Sequence, residues 1–279
     1  MAPDANLIED AGIAADELAG RLDVRIADLT TVAEQRAAAD LFRRIWRADS
    51  PDQLINVSLL RALAHSGNYV VGAYRGGEML GAAVAFLGTD HLHSHITGVA
   101  VAGQGVGYAL KLHQRAWALR RGLAEVRWTF DPLVRRNAYF NLQKLGARAA
   151  AYLPDFYGDM VDGINTGDAT DRLYIRWELA SARALAAVRG ELPEADPREA
   201  HVLLGRSATD APVEPGDAWP GGTALVAVPT DVEALRGRDP EVATQWRYAV
   251  RGAMRRALDR GHRIASMTRD GWYVLEGSP

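Results

Sequence analysis

A glycine-rich turn within residues 98–111 joins a strand-like segment to a helix-like segment. Gly103, Gly105 and Gly107 carry no Cβ, so the backbone can pass close to a ligand there. A helix that begins near Val106 would direct its unpaired N–H groups and the positive end of its dipole towards the turn. The sequence therefore predicts a strand–turn–helix unit suited to a pyrophosphate group.

Three kinds of phosphate-binding loop can be compared with this turn. A P-loop is excluded, because no Gly-Lys-Ser/Thr follows the glycines. A dinucleotide fingerprint lacks its third glycine, since Tyr108 stands there, and the chain shows no repeated βαβ units. An acyl-CoA loop matches best: Gly105 and Gly107 supply its Gly-x-Gly half, although Ala102 replaces the usual Gln or Arg. A structural turn without a ligand stays open as the alternative.

The segment after the turn favours the acyl-CoA interpretation. Residues 123–130 alternate in the manner of a strand and stop before a proline. Residues 135–147 then contain Asn137 near a helix start and end in Lys-Leu-Gly-Ala. In this order the two motifs resemble the GNAT superfamily of acyl-CoA N-acyltransferases, over about residues 24–179. The resemblance implies an α/β (α+β) fold, with a mixed, mainly antiparallel twisted sheet flanked by helices.

The resemblance also implies an activity, which is acyl transfer from acetyl-CoA or another acyl-CoA to a small-molecule amine by direct attack on the thioester. Two alternatives are a succinyl-CoA-dependent amino-acid N-acyltransferase and a non-catalytic CoA-binding regulatory or interaction protein. Lys111, one turn beyond Gly107, is expected to reach back towards a phosphate, or else to be an exposed helix lysine. The CoA-binding residues implied in this way are Val99, Ala100, Val101, Gly103, Gln104, Gly105, Val106, Gly107, Tyr108, Lys111 and Asn137.

Three histidines precede the glycine-rich turn. His91, His93 and His95 alternate, so strand geometry predicts that they share one face. A metal site is one interpretation of this pattern. The resemblance instead places the strand beside the acyl-acceptor pocket, where His95 or His93 would take the proton of the attacking amine, a task that suits a pKa near ~6.5. Histidines without a catalytic role are the third possibility.

Departures from the family pattern leave the general acid open. Leu142 occupies the position at which many GNAT enzymes carry a tyrosine. Tyr139 and Tyr157 are the substitutes that we consider, although structural roles suit both. Thr129 and Arg172 are the expected substrate-binding residues, with Arg172 able to hold a carboxylate through a bidentate contact or simply to form a surface ion pair.

Composition excludes several classes of function. The formal net charge of −3 gives no basic surface for nucleic acid or an anionic membrane. The chain has no cysteine, which excludes a cysteine nucleophile and thiolate metal sites, and no metal is expected. The N-terminus lacks a signal-peptide pattern, so we expect a cytoplasmic enzyme. A homodimer is possible.

The predicted organisation has four parts. Residues 1–22 are expected to form a loose N-terminal lead-in, and residues 23–180 a GNAT-like acyl-CoA-binding domain. Five prolines between residues 193 and 220 indicate that residues 181–222 are a linker or an irregular wrap. Residues 223–279 then form a strand-helix-hairpin appendage, too short to fold independently.

Overall fold

A computed structural model describes residues 4–50, 54–158, 168–194, 199–216 and 219–277. The chain divides into two compact units. Unit 1 consists of residues 1–128, 161–164 and 178–180, and unit 2 of residues 129–160, 165–177 and 181–279. The four-part domain organisation given above stays a prediction.

The described residues of unit 1 combine a sheet with four helices. Its strands follow the order β1-β2-β3-β4-β5, and all neighbours are antiparallel except β4 and β5, which are parallel. The predicted mixed, mainly antiparallel sheet flanked by helices is therefore confirmed. The elements are α1 (Ala5–Arg21), β1 (Arg25–Asp28), α2 (Val32–Trp46), α3 (Val57–His65), β2 (Tyr69–Arg75), β3 (Glu78–Leu87), β4 (Leu92–Val99), α4 (Val106–Arg120) and β5 (Glu125–Phe130), whose last two residues belong to unit 2.

Local sequence signals account for several of these boundaries. Thr31 caps α2 by accepting a hydrogen bond from Glu34 N–H at 3.2 Å, and the Glu34 carboxylate accepts one from Thr31 N–H at 2.9 Å, which completes a capping box. The β2–β3 hairpin turns at Gly76 and Gly77, which have φ angles of 54° and 88° that glycine adopts without strain. These signals fix where the elements begin and end, whereas packing fixes which faces are buried.

The N-terminal residues differ from the prediction. Residues 1–22 are predicted to be a loose lead-in with a little helix, whereas Ala5–Arg21 form one helix of 17 residues, α1, with Asp4 as its N-cap. Ala11 and Ala15 are almost fully buried, at 1% and 3% exposure. Because α1 packs against α4 within unit 1, tertiary contact stabilises a helix whose sequence pattern is weak.

Unit 2 contains a second sheet, in the order β11-β12-β10-β8-β9, and the antiparallel pair β6–β7. In the second sheet β8 and β10 are parallel, and the other neighbours are antiparallel. The elements are α5 (Arg135–Tyr139), which runs into a π-helical turn (Phe140–Lys144), β6 (Arg148–Leu153), β7 (Arg172–Glu178), α6 (Ala182–Val188), β8 (His201–Arg206), β9 (Pro212–Val213), β10 (Ala224–Ala227), α7 (Val232–Arg238), α8 (Pro240–Asp259), β11 (His262–Met267) and β12 (Trp272–Gly277).

Residues 181–222 also differ from the expected linker, because they contain α6, β8 and β9. Ser181 caps α6 by accepting a hydrogen bond from Ala184 N–H at 3.2 Å. Strand β8 pairs with β10, and its Leu204 is fully buried. The prolines therefore interrupt the helix and strands of this region but do not prevent them from forming. Strand β8 forms because its pairing partner, β10, comes from a later part of the chain.

Candidate functional site

The glycine-rich turn ends in unpaired backbone donors. Gly105 is the N-cap of α4 in a left-handed conformation, with φ of 78°, and makes no side-chain capping bond. The N–H groups of Tyr108 and Ala109 both donate to the Gly105 carbonyl at 3.0 Å. Within the described residues, the N–H groups of Gly105, Val106 and Gly107 have no such acceptor. Three donors at a helix N-terminus form a site for an anion.

Strand β4 has a backbone edge that β5 covers only at its start. The parallel pairing joins Leu92 to Val126 and His93 to Arg127, while β4 continues to Val99. Ala100 N–H donates to the Leu80 carbonyl at 2.8 Å. Because hydrogen-bonded pairs alternate along an antiparallel ladder, the neighbouring Val99 N–H points away from β3. This N–H lies on the β4 edge that leads into the glycine-rich turn.

A β-bulge in β4 sets the position of the histidines. Ala85 pairs with Ser94 and Val84 with Ile96, so His95 is the extra residue of the bulge. The ring centroids of His93 and His95 lie 6.4 Å apart. Both rings also contact Phe86, at 4.8 Å and 5.9 Å. The bulge therefore keeps these two histidines adjacent on one surface.

The two imidazoles differ electrostatically. Burial, and then the charges of His95, His91 and Lys111, lower the pKa of His93 to about 4. Burial lowers the pKa of His95, although the residue as a whole is exposed. Both are therefore neutral near pH 7 and able to accept a proton. Burial is the cause of the shift at His95, whereas at His93 neighbouring charges add to burial.

Lys111 does not reach towards a phosphate and is not exposed, contrary to both expectations. Its side chain is buried, and Nζ donates to Ser94 Oγ at 2.8 Å and to Gln114 Oε1 at 3.1 Å. Nζ also lies 4.3 Å from the ring centroid of Trp128. Burial lowers the pKa of Lys111 to about 7. The reason for the difference is that Lys111 lies on the face of α4 that packs against the sheet.

A cleft of about 270 Å³ borders the glycine-rich turn. Arg75 of β2 lines it and donates to the Leu22 carbonyl at 2.8 Å and to Gln104 Oε1 at 3.4 Å. Among the other predicted CoA residues, Val106 is buried, Tyr108 is partly buried, and Gly103 is exposed with φ of 83°. The cleft is lined by Arg75, Glu78, Leu80, Val101, Gln104 and Val106.

Three predicted substrate or catalytic residues lie together in unit 2. The Thr129 hydroxyl and the Tyr157 hydroxyl are 3.0 Å apart. The guanidinium carbon of Arg172 lies 5.2 Å from the ring centroid of Tyr157. Arg172 is buried and donates to the Asp171 carbonyl at 2.9 Å, while Tyr157 is exposed. Their roles stay predictions.

Two other predicted residues occupy different surroundings in unit 2. The Tyr139 hydroxyl donates to Glu194 at 2.8 Å, and burial together with this carboxylate raises the pKa of Tyr139. Asn137 is exposed within α5, and the N-cap of that helix is Val134, so Asn137 does not cap it. The hydrogen bond to Glu194 does not favour proton transfer by Tyr139, because the hydroxyl already donates its proton to a carboxylate.

Unit 2 also contains a buried ionic cluster. Arg247 donates to both oxygens of Asp131, at 2.8 and 2.9 Å, and to Asp168 at 2.9 Å. Arg236 bonds the same two carboxylates, at 2.7 and 2.8 Å. Burial alone would raise the pKa of Asp131, but the charges of Arg247 and Arg236 outweigh it and hold the pKa well below its usual range. The cluster links the end of β5 to α7 and α8.

Sequence reasoning missed the partners of Lys111 and the position of Arg75. The available signal was Ser94, which lies between His93 and His95 in the sequence and on the opposite face of β4. A buried serine needs a hydrogen-bonding partner. Gln114 lies one helical turn from Lys111, a spacing at which helix side chains meet. No pattern in the sequence indicated that Arg75 would lie beside Gln104.

Neither metal binding nor membrane spanning has positive support in the described residues. They contain no group of three or more His, Cys, Asp or Glu side chains placed to hold a metal ion. No described helix is both long enough and apolar enough to cross a membrane. The expected cytoplasmic location and the possible homodimer stay predictions.

Comparisons with known proteins give matches among solved structures only. No family model matches the chain, and no curated protein matches it. A ribosomal-protein-alanine N-acetyltransferase from Brucella melitensis is 17% identical, with a TM-score of 0.43 over 55% of this chain and 97% of that one. A GNAT family acetyltransferase from Elizabethkingia anophelis, solved with acetyl-CoA bound, is 16% identical, with a TM-score of 0.41 over 56% and 98%. Aminoglycoside 6'-acetyltransferase type Ii is 14% identical, with a TM-score of 0.44 over 57% and 97%.

Proposed function

We propose that this protein is an acyl-CoA-dependent N-acyltransferase that transfers an acetyl group from acetyl-CoA to a small-molecule amine. The observation that carries the proposal is a set of three N–H groups, at Gly105, Val106 and Gly107, that have no acceptor among the described residues and lie at the N-terminus of a 15-residue helix. A pyrophosphate suits this position because it accepts hydrogen bonds from all three donors and interacts favourably with the helix dipole. The two glycines leave the approach to these donors open.

The edge of β4 beyond His93, which β5 does not pair with among the described residues, supports the same assignment. The pantetheine part of an acyl-CoA is an extended chain with two amide groups, and such a chain can pair with an exposed strand edge. Beyond His93, β4 offers such an edge, and it leads to the turn that would hold the pyrophosphate. Val99 N–H would then donate to the thioester carbonyl and stabilise the negative charge that develops on its oxygen.

The reaction requires one proton acceptor. The amine nitrogen attacks the thioester carbon, a C–N bond forms, the C–S bond breaks, and the thiolate of CoA leaves and takes up a proton. His95 accepts the proton that the amine loses, because its imidazole is neutral near pH 7. Thr129 and Arg172 of unit 2 stay predicted substrate-binding residues, and they are not used in this scheme.

We expect His95→Gln to lower kcat about 100-fold, since general-base catalysis contributes about 10²–10⁴. The KM for acetyl-CoA should change little. His91→Gln is the matched control, because His91 precedes β4 and its Nδ1 is held 2.8 Å from Asp90. Wild-type kcat should begin to fall only at a pH below 6.5, because the pKa of His95 is lowered. Unchanged kcat in His95→Gln and in the His93→Gln/His95→Gln double variant would exclude a histidine base.

Release of free thiol tests the activity itself. Purified protein is incubated with acetyl-CoA or succinyl-CoA and with amines that either carry or lack a carboxylate. Amine-dependent thiol release supports the proposed transferase, and the preferred acyl-CoA decides between acetyl and succinyl transfer. Binding of acetyl-CoA without thiol release would indicate a CoA-binding regulatory protein, and absence of binding would exclude both.

A further inference from the structure

A cavity of about 350 Å³ lies within unit 2. Three elements form its walls: helix α5, the residues at the start of α7, and the turn between β11 and β12. Its lining includes Arg135 and Arg136 of α5 and Arg269 of the turn. Because small-molecule pockets usually measure about 300–1,000 Å³, the cavity is large enough for a small organic ligand.

Hydrogen bonds hold the three walls in place. Arg135 Nε donates to the Arg269 carbonyl at 2.8 Å, and Nη2 of the same guanidinium donates to the same oxygen. Arg136 joins α5 to α7, because its Nη2 donates to Glu233 Oε1 at 2.6 Å. Gly271 has φ of 98° and lets the turn approach α5, since a Cβ there would lie 3.1 Å from Arg135 Cδ. The walls are therefore fixed before any ligand binds.

Two of the three arginines already bind carboxylates of this chain. Arg136 pairs with Glu233, and Arg269 Nε donates to Glu194 Oε1 at 2.6 Å. The Tyr139 hydroxyl donates to the same Glu194 oxygen at 2.8 Å. The hydrogen bonds from Arg269 and then from Tyr139 lower the pKa of Glu194. The charges of Arg136 and Arg269 are therefore balanced within the chain.

This pairing leaves one positive and one negative lining residue, Arg135 and Asp231. In the part of the chain that the structure describes, Arg135 donates only to the Arg269 carbonyl and forms no ion pair, with Asp231 or with any other carboxylate. Asp231 Oδ1 accepts hydrogen bonds from the N–H groups of Glu233 and Ala234, at 3.1 and 3.0 Å, whereas Oδ2 accepts none from a described residue. The cavity therefore offers a ligand one cation and one anion.

We propose that this cavity binds a small zwitterion, an amino acid, whose carboxylate pairs with Arg135 and whose ammonium group pairs with Asp231. The Nη1 end of the Arg135 guanidinium stays available for a charge-assisted hydrogen bond to a carboxylate. The Tyr139 ring, whose centroid lies 5.6 Å from the guanidinium carbon of Arg269, supplies a flat surface for the amino-acid side chain. Asp231 disfavours a ligand that is only an anion, and Arg135 disfavours one that is only a cation.

The site does not depend on the function proposed above, because every residue that forms it belongs to unit 2. Calorimetry with phenylalanine and leucine tests it directly. The analogue 3-phenylpropanoate lacks the ammonium group of phenylalanine, and 2-phenylethylamine lacks its carboxylate. We expect saturable one-to-one binding of the amino acids and about tenfold weaker binding of both analogues, since a lost charge pair of about 1.4 kcal/mol is tenfold in affinity.

Two variants assign the binding to the two charges. Asp231→Asn removes the charge but keeps the helix cap, because asparagine caps as well as aspartate. It should weaken phenylalanine binding about tenfold and leave 3-phenylpropanoate binding unchanged or stronger, a split that a purely structural role does not produce. Arg135→Met should weaken binding of both compounds about tenfold. Arg256→Met is the control, because its side chain is 50% exposed on α8, and it should bind both compounds as wild type does.

Three results would overturn the proposal. One is that neither amino acid binds at millimolar concentration. Another is that 3-phenylpropanoate or 2-phenylethylamine binds as tightly as phenylalanine. The last is that Asp231→Asn binds phenylalanine as tightly as wild type does. Asp231→Asn decides the matter if Arg135→Met does not fold.

Discussion

Gly107→Glu should weaken acetyl-CoA binding about 1,000-fold while the fold is kept. Gly107 is the second residue of α4, and a Cβ added there would lie 3.7 Å from Val99 Cγ1, an ordinary contact. A carboxylate in the first turn also interacts favourably with the helix dipole, so stability should not fall. Near a protein surface, repulsion between two unit charges 4 Å apart is about 4 kcal/mol, which corresponds to about 1,000-fold in affinity.

Two control variants separate charge from bulk and from helix effects. Gly107→Gln has nearly the same size without the charge and should lose much less affinity. Ala124→Glu adds a negative charge at an exposed residue beyond the other end of α4 and should leave binding unchanged. Gly105→Glu is less clean, because Gly105 has φ of 78° and its Cβ would lie 3.1 Å from Leu22. Equal calorimetric affinities of wild type and Gly107→Glu would place the pyrophosphate elsewhere.

Arg247→Met should lower the free energy of unfolding by about 3–5 kcal/mol, as expected when one partner of a buried ion pair is removed. Arg247 is 1% exposed and bonds both Asp131 and Asp168. Without it the two buried carboxylates share only Arg236. Urea denaturation followed by tryptophan fluorescence measures the change. Arg256→Met on the same helix is the control, since its side chain is 50% exposed and 3.7 Å from Glu214, and it should change stability by less than about 1 kcal/mol.

The same cluster predicts how stability depends on pH. The folded-state pKa of Asp131 is lowered, so this carboxylate stabilises the fold above its unfolded pKa of about 3.9, and the stabilisation is lost as the pH falls towards the folded value. In Arg247→Met the folded-state pKa of Asp131 should rise towards its unfolded value. Asp131 then stabilises the fold less, and the loss of stability on acidification should be smaller than in wild type. An Arg247→Met variant as stable as Arg256→Met at pH 7 would show that the cluster contributes little.

Local signals predicted the elements on which the candidate site is built. The strand before the turn, the helix from Val106 and the hairpin at Gly76-Gly77 follow from alternation, glycine placement and capping, which depend on neighbouring residues. The adjacency of His93 and His95 also followed from strand periodicity, although the bulge that sets their geometry did not. Helix α1 and the strands within residues 181–222 escaped prediction, because their stability comes from partners distant in sequence.

By itself the sequence determined a glycine-rich strand–turn–helix unit and a chain without cysteine chemistry, since these depend on composition and on spacing along the chain. The mixed sheet was implied by the resemblance to a known family. Only the tertiary structure decided that Lys111 is buried against Ser94 and Trp128 and that Arg247 joins Asp131 to Asp168. The physical reason is that the burial of a charge depends on which elements pack over it. Those contacts, between residues 17 to 116 positions apart, are set by the fold and not by local pattern.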